Sequence, residues 1–278
     1  MSGFIPPLTA AEVQAALGAK YNVAATLQTG GQGAVFKGTF SGGTVAVKVY
    51  HSDQLEERLE REISALQKIR GPTLVELCEA GTCTIRGQQC HFLTTTFIDG
   101  QPLDAALTTG GAQPPERVAR IGHDVARALH LLWEARIVHR DIKPNNVMMT
   151  PAGGAVLIDL GVARHIEMTS LTTTGKTWGT SGYFSPEQAR GAPLSCKSDV
   201  FALGVLLQEC LLGRHPTDRR QNALLNGGMK TDGLRAGLPR FLVRLVDSMV
   251  NKSAVLRPSP TQVANDLAKL AGVSAGGT

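Results

Sequence analysis

The spacing of apolar positions divides the chain into an early stretch of short strands and a later stretch dominated by helices. Thr9 to Gly18 carries an N-capping threonine, a glutamate at the third helical position and a terminal glycine, which predicts a short helix with a structural role. From Tyr21 the pattern turns to strand, bends at the glycine-rich run Thr29 to Gly38, and returns to strand, ending at Val45-Ala46-Val47-Lys48. Leu55, Leu59, Ile63, Leu66 and Ile69 recur at helical spacing and predict an amphipathic helix over Asp53 to Ile69. A turn at Arg86-Gly87 sets Cys83 opposite Cys90 across a hairpin, and Phe92 onward reads as another strand. Val118, Ile121, Val125, Leu129 and Leu132 then predict a long scaffold helix over Pro114 to Ala135. Two short apolar runs follow, Val147 to Met149 and Ala155 to Ile158, joined by Thr150-Pro151-Ala152-Gly153-Gly154. They read as a β-hairpin.

Composition narrows the class. With 42% hydrophobic and 18% charged residues among 278, the chain is an ordinary globular sequence, long enough for one sizeable or two modest cores. The net charge of +5 is mild and gathers into no basic stripe, so no nucleic-acid partner is expected. The longest apolar run, Val200 to Leu207, is eight residues, against roughly 20 for a membrane span. The first residues show neither a basic nor an apolar leader region, and a cytoplasmic location is the expectation. Five cysteines without a C-x-x-C pair argue against a disulfide framework or a zinc site, leaving free thiols as the expectation, Cys83 and Cys90 included.

Candidate chemistry concentrates in His139-Arg140-Asp141-Ile142-Lys143-Pro144-Asn145-Asn146 and in Asp159-Leu160-Gly161. If the hairpin turn centres near Ala152 and Gly153, Asn146 and Asp159 fall opposite one another across the ladder. A carboxylate beside an amide oxygen suits Mg²⁺, a hard cation usually shared with substrate phosphates. Asp141 would sit beside that metal and accept the proton of an incoming hydroxyl, while Lys143 sets a point charge on a phosphoryl oxygen. Such a set describes a phosphoryl-transfer site.

These residues in this order match the protein-kinase pattern H-R-D…N followed by D-x-G, and from about residue 21 to 270 the chain resembles bacterial eukaryotic-like Ser/Thr protein kinases. The resemblance implies an α+β, two-lobed fold. Residues 19–97 would form a small β-rich N-lobe with one helix, and residues 98–271 a larger, mainly α-helical C-lobe. An extension with a short helix would precede them over 1–18, and a flexible tail would follow over 272–278. Asp141 and Lys143 become the catalytic pair, Asn146 and Asp159 the Mg²⁺ ligands, with Mn²⁺ as a possible substitute.

For ATP, the resemblance assigns Gly30, Gly33 and Val35 to the loop over the phosphates and the adenine. Gln28 stands where the family's first loop glycine is usual. Lys48, after Val45-Ala46-Val47, would hold phosphates and pair with Glu62, only fourteen residues on. Ala46 belongs to the same nucleotide-binding wall, with Thr95 at the gatekeeper place and the Thr96 and Ile98 backbone at the adenine edge. Asp99 reads either as a ribose ligand or as a turn-former before Gly100. Arg140 would receive a phosphate from the activation segment, with Thr172 and Thr174 as candidate phosphosites. Glu187 would pair with Arg257, and Asp199 would steady the catalytic loop.

The activity so implied is transfer of the γ-phosphoryl of Mg-ATP to protein Ser or Thr, the chain's own activation segment included. Lys143 with Thr180 points to Ser/Thr rather than Tyr. Two alternatives stay open: a pseudokinase acting as a binding module, for which Gln28 speaks, and a small-molecule phosphotransferase, which generally lacks a segment like Gly179 to Glu187. The oligomeric state has no signature in the sequence.

Overall fold

The computed structural model describes residues 4–30, 33–50, 56–160, 164–165, 182–220, 231 and 237–273, without the side chains of 56–59, 61–62 and 164–165. The chain divides into two units, Met1–Arg70 with Val75–Ile98, and Gly71–Leu74 with Asp99–Thr278.

The first unit is a five-stranded antiparallel sheet of β1 (Tyr21–Gly30), β2 (Gly33–Phe40), β3 (Gly43–Tyr50), β4 (Leu77–Ile85) and β5 (Gln88–Thr96), in the order β1-β2-β3-β5-β4. β4 and β5 are joined by Arg86 and Gly87, both at positive φ (52° and 76°). That conformation matches the twist of a two-residue hairpin and pairs Cys83 with Cys90. Strand alternation sends Phe36, Val45, Val47, Val49, Cys90 and Phe92 to one face, where Leu8 and Val13 complete the core.

Val13 belongs to α1 (Ala10–Leu17). A reciprocal capping box sets its start: Glu12 N–H donates to Thr9 Oγ1 at 3.3 Å, and Thr9 N–H to Glu12 Oε2 at 2.9 Å. The helix touches both β1 and β4, strands from opposite ends of the sheet order, and so closes one face of the sheet. Gln14 donates to the carbonyls of Gly18 (3.0 Å) and Tyr21 (2.9 Å) and accepts from Val23 N–H (2.7 Å). Arg86, from the hairpin turn, donates to Glu12 at 2.7 and 3.1 Å and to the carbonyls of Pro6 and Pro7. The extension is therefore part of this unit's core. α2 (Glu56–Lys68) packs on β4 and β5; its described start lies three residues inside the helix expected from Asp53.

The second unit is mainly helical: α3 (Leu103–Gly110), α4 (Pro115–Glu134), α5 (Pro186–Ala189), α6 (Cys196–Leu212), α7 (Arg240–Met249) and α8 (Pro260–Ala268). α4 fills the span predicted by its apolar spacing and packs against α6 and α8. Nearly every residue of α6 is buried, which is why that stretch reads as a continuous apolar run. Short strands β7 (Ile137–Val138), β8 (Val147–Met149) and β9 (Ala155–Leu157) follow α4, and β6 (Gln101–Pro102) pairs with β8.

The β8/β9 hairpin forms with a register one residue from the expected one. Val147 pairs with Leu157 and Met149 with Ala155, and Ile158 N–H donates to the Asn146 carbonyl at 3.0 Å. Asn146 thus faces Ile158, and Asp159 lies one residue beyond. The loop has five residues, 150–154, and is therefore centred on Ala152. Thr150 N–H donates to the Gly154 carbonyl, and Gly153 takes a φ of 79°.

Candidate active site

The segment from β7 into β8 is held from beneath by one buried carboxylate. Asp199, near the start of α6, accepts the backbone N–H of His139 and of Arg140, both at 2.8 Å, and is 2% exposed. Burial pushes its carboxyl upward, against the pull of those donors and of nearby His139 and Arg140. The Arg140 carbonyl accepts from Gln188 at 2.9 Å, and the residue sits at φ 73°, a left-handed conformation that costs a non-glycine residue energy. Backbone bonds on both sides of Arg140 fix that bend. Its consequence is the sharp turn from which Asp141 projects.

Asp141 gathers the next two functional candidates. Its Oδ2 lies 2.8 Å from Lys143 Nζ, and the Asn146 amide nitrogen donates to the Asp141 carbonyl at 2.8 Å and to Oδ2 at 3.2 Å. His139 Nδ1 accepts the Asp141 N–H at 3.2 Å. All of these groups are buried or half-buried. Since the Asn146 nitrogen is committed to Asp141, the amide oxygen is the atom left for a cation. An amide oxygen and a carboxylate, the two groups expected from the sequence at Asn146 and Asp159, are hard oxygen donors of the kind divalent ions such as Mg²⁺ accept. Asp159 follows the end of β9, and Gly161 lies outside the described residues.

The first unit brings together a second group on the sheet face away from α1. Register pairs Val35 with Lys48, Lys48 with Leu93, and Ala46 with Thr95, and directly opposed residues share a face. Lys48 Nζ lies 4.9 Å from the Tyr50 ring centroid. Gly30 and Gly33 are paired at the end of the β1/β2 hairpin. A Cβ on Gly33 would come within 2.2 Å of the Val49 carbonyl oxygen, so the close approach of β2 to β3 requires glycine. Glu62 lies on α2, and its side chain is outside the description. Thr96 N–H donates to the Glu76 carbonyl at 2.9 Å and Phe97 N–H to that of Thr44 at 3.1 Å. Ile98 follows them. Asp99, in the second unit, is exposed next to Gly100.

Further contacts brace the second unit. Arg257, 2% exposed, makes a bidentate pair with Glu187 at 2.6 and 2.9 Å and also donates to the carbonyls of Asn251, Lys197 and Lys252. Glu187 also accepts from Ser198 Oγ at 2.7 Å. Burial raises the Glu187 carboxyl, but Arg257 and Ser198 outweigh it and hold the group below the usual carboxylate range. Ser185, where the family pattern has alanine, caps α5 by accepting Gln188 N–H at 3.2 Å. Gln188 itself had no signal in the sequence, nor had the Tyr183 hydroxyl bonded to Glu209. Thr172, Thr174 and Thr180 lie outside the described residues.

A capped loop carrying Asp141, Lys143 and Asn146, a hairpin delivering Asp159, and a sheet carrying Lys48 are the parts of a protein kinase domain, and the chain belongs to that family. Residues 21–267 match the protein kinase domain. Among curated proteins, a probable serine/threonine-protein kinase of Corynebacterium efficiens is 34% identical over 206 residues, covering 71% of this chain and 31% of that protein. Serine/threonine-protein kinase PknB of Mycobacterium leprae is 34% identical over 62% of this chain and 29% of its own length. PknA of Mycobacterium tuberculosis is 31% identical over 72% and 48%. The chain thus spans less than half the length of each of these relatives.

Proposed function

We propose that this chain is an active Ser/Thr protein kinase domain that moves the γ-phosphoryl of ATP to hydroxyls of protein substrates and of its own activation segment. The observation that carries the reading is the Asp141 carboxylate, bonded by Lys143 and Asn146 on a loop fixed through Asp199. Asp141 accepts the proton of the incoming Ser or Thr hydroxyl. Lys143, already beside that carboxylate, can bring its positive charge to the transferring phosphoryl oxygens.

In the first unit, Lys48 binds the nucleotide's phosphates, paired with Glu62, and Gly30 and Gly33 let the backbone approach them. Val35 and Ala46 form apolar wall for the adenine. With the N–H groups of Thr96 and Phe97 used inside the sheet, adenine recognition falls to the Thr96 carbonyl and the Ile98 N–H. Asp99 is exposed and able to take the ribose hydroxyls. Asn146 and Asp159 would hold a divalent cation, Mg²⁺ or Mn²⁺, which when bound neutralises phosphate charge. Arg140 receives the phosphate of the activation segment, on Thr172 or Thr174.

No described helix is long and apolar enough to cross a membrane. We infer a cytoplasmic site of action, where ATP is at hand and thiols stay reduced.

Intact mass after incubation with Mg-ATP, from a phosphatase-treated start, tests the reading. The parent gains mass in steps of one phosphate, Asp141→Asn gains it slower by about 10²–10⁴-fold, and mapping finds Thr172 or Thr174. A parent that stays silent, and also fails on a generic protein acceptor, is a nucleotide-binding module instead.

A further inference from the structure

His215, in the turn that follows α6, is a buried histidine with both ring nitrogens engaged. Nδ1 accepts the backbone N–H of Thr217 at 3.2 Å and of Arg219 at 2.9 Å. A nitrogen that accepts carries no proton, so the proton of the neutral ring sits on Nε2, which donates to the Gly182 carbonyl at 2.9 Å. One imidazole thus joins two segments 33 residues apart.

The turn it closes is strained. Asp218 and Arg219 take φ values of 49° and 62°, a left-handed conformation that residues other than glycine seldom adopt in succession. Such backbone persists only where its surroundings hold it. Here the Arg219 N–H is held by Nδ1, and the Asp218 N–H by the His215 carbonyl at 3.3 Å. Gly182, on the other side, has φ 104°, and a Cβ there would lie 3.1 Å from both Cα and Cβ of Arg219. The bent backbone is therefore seated directly on Gly182.

From Gly182 the chain leads to the candidate site. The Tyr183 ring meets His215 edge-on at 5.1 Å, and its hydroxyl is bonded to Glu209 of α6. Ser185 then caps α5, and Gln188 of that helix holds the Arg140 carbonyl, next to Asp141. We infer that His215 is a positioning residue for phosphoryl transfer: its neutral ring fixes Gly182, and with it the run into α5 that braces the loop carrying Asp141. The inference rests on the kinase activity proposed above.

Protonation would break this link, because an imidazolium sets an N–H at Nδ1 against two other N–H donors. Burial lowers the ring's pKa against the pull of the Gly182 carbonyl; Arg219 adds to the lowering and Asp218 opposes it, so the ring is neutral at neutral pH. Asp218 is exposed and lies 3.8 Å from Arg214 and 3.4 Å from Arg220. Glu209, behind Tyr183, has its own carboxyl pushed up by burial.

The test is steady-state phosphorylation of casein by the full chain with Mg-ATP across pH, beside His215→Asn and His215→Gln. Asn keeps an acceptor near the place of Nδ1 and loses the donor to Gly182, Gln does the reverse, and neither titrates. Each variant should lower kcat roughly tenfold with the KM for ATP unchanged. The gap to the parent should close as pH falls below about 6, where the parent's own link opens. A parental kcat in either variant, or a gap indifferent to pH, overturns the inference. Amide exchange at Arg219 reads the link without catalysis: in the parent, corrected for its intrinsic pH dependence, it should rise over the same range. A chain that transfers no phosphate thus defeats the kinase reading, while an Arg219 amide unmoved by pH defeats the role of His215. That second measurement uses the parent alone and holds even if both variants fail to fold.

Discussion

Single side chains carry unequal weight in this domain, and Arg257 is the heaviest of those described. It is buried and shares five hydrogen bonds between Glu187 and three carbonyls. Arg257→Ala leaves a half-buried carboxylate unmatched, and we expect a loss of about 3–5 kcal/mol in a denaturant melt. The pH dependence has a definite sign. Glu187 has a depressed folded pKa, so its contribution is present above the ordinary carboxylate range and disappears as pH falls through the folded value. The gap in Tm between parent and Arg257→Ala should therefore be widest near neutrality and shrink in acid. A gap that is constant between pH 7 and 3 would mean the pair contributes little through its charge. At this scale the motif residues were readable because chemistry restricts their type and order, as with Asp141, Asn146 and Arg257. Gln188, whose amide holds the Arg140 carbonyl, was not, because any amide in a short helix looks alike until the backbone it meets is known.

At the level of elements, α1 shows what local patterning can and cannot announce. Its capping box is written in Thr9 and Glu12, so its limits were legible to the residue. Its closure of the sheet was not, because Gln14 finds Tyr21 and Val23 only once the chain has folded back. Gln14→Ala removes two bonds to β1 and one to the Gly18 carbonyl. Amide exchange should speed up at Val23, whose N–H donates to that side chain, while β3 and β5 keep their protection. An unchanged Val23 rate would make the Gln14 contacts ornamental. The β8/β9 hairpin gives the complementary lesson. Its strands were evident from two apolar runs, but register depends on a loop whose length is odd, and a glycine pair in the turn does not say which residue takes the left-handed position.

For the whole molecule, the change from strand to helix along the chain follows the two observed units, with two exceptions. The extension before Tyr21 belongs to the core of the first unit, and Gly71–Leu74 to the second, since Thr73 and Leu74 bond to Leu157 rather than to the sheet. Neither is a matter of composition; both arise from contacts made far along the chain. The cysteines are likewise decided by the assembled fold. All five are unpaired, with Cys78 exposed and the others buried. Burial pushes the thiols of Cys83 and Cys196 up to about 11, where thiolate is scarce at neutral pH. A thiol reagent should label one site in the native protein and five after denaturation. Cys78, itself raised by partial burial, should react faster as the solution is made alkaline. Rapid native labelling of Cys83 or Cys90 would show that the sheet beneath α1 opens readily.

The one-residue offset of the hairpin gives its two cation-ligand candidates different mechanical standing. Asn146 is clamped: its carbonyl is the last rung of the ladder and its amide is tied to Asp141. Asn146 is therefore held by the same bonds that join β8 to β9, whereas Asp159 stands just past that rung and is held from outside the ladder.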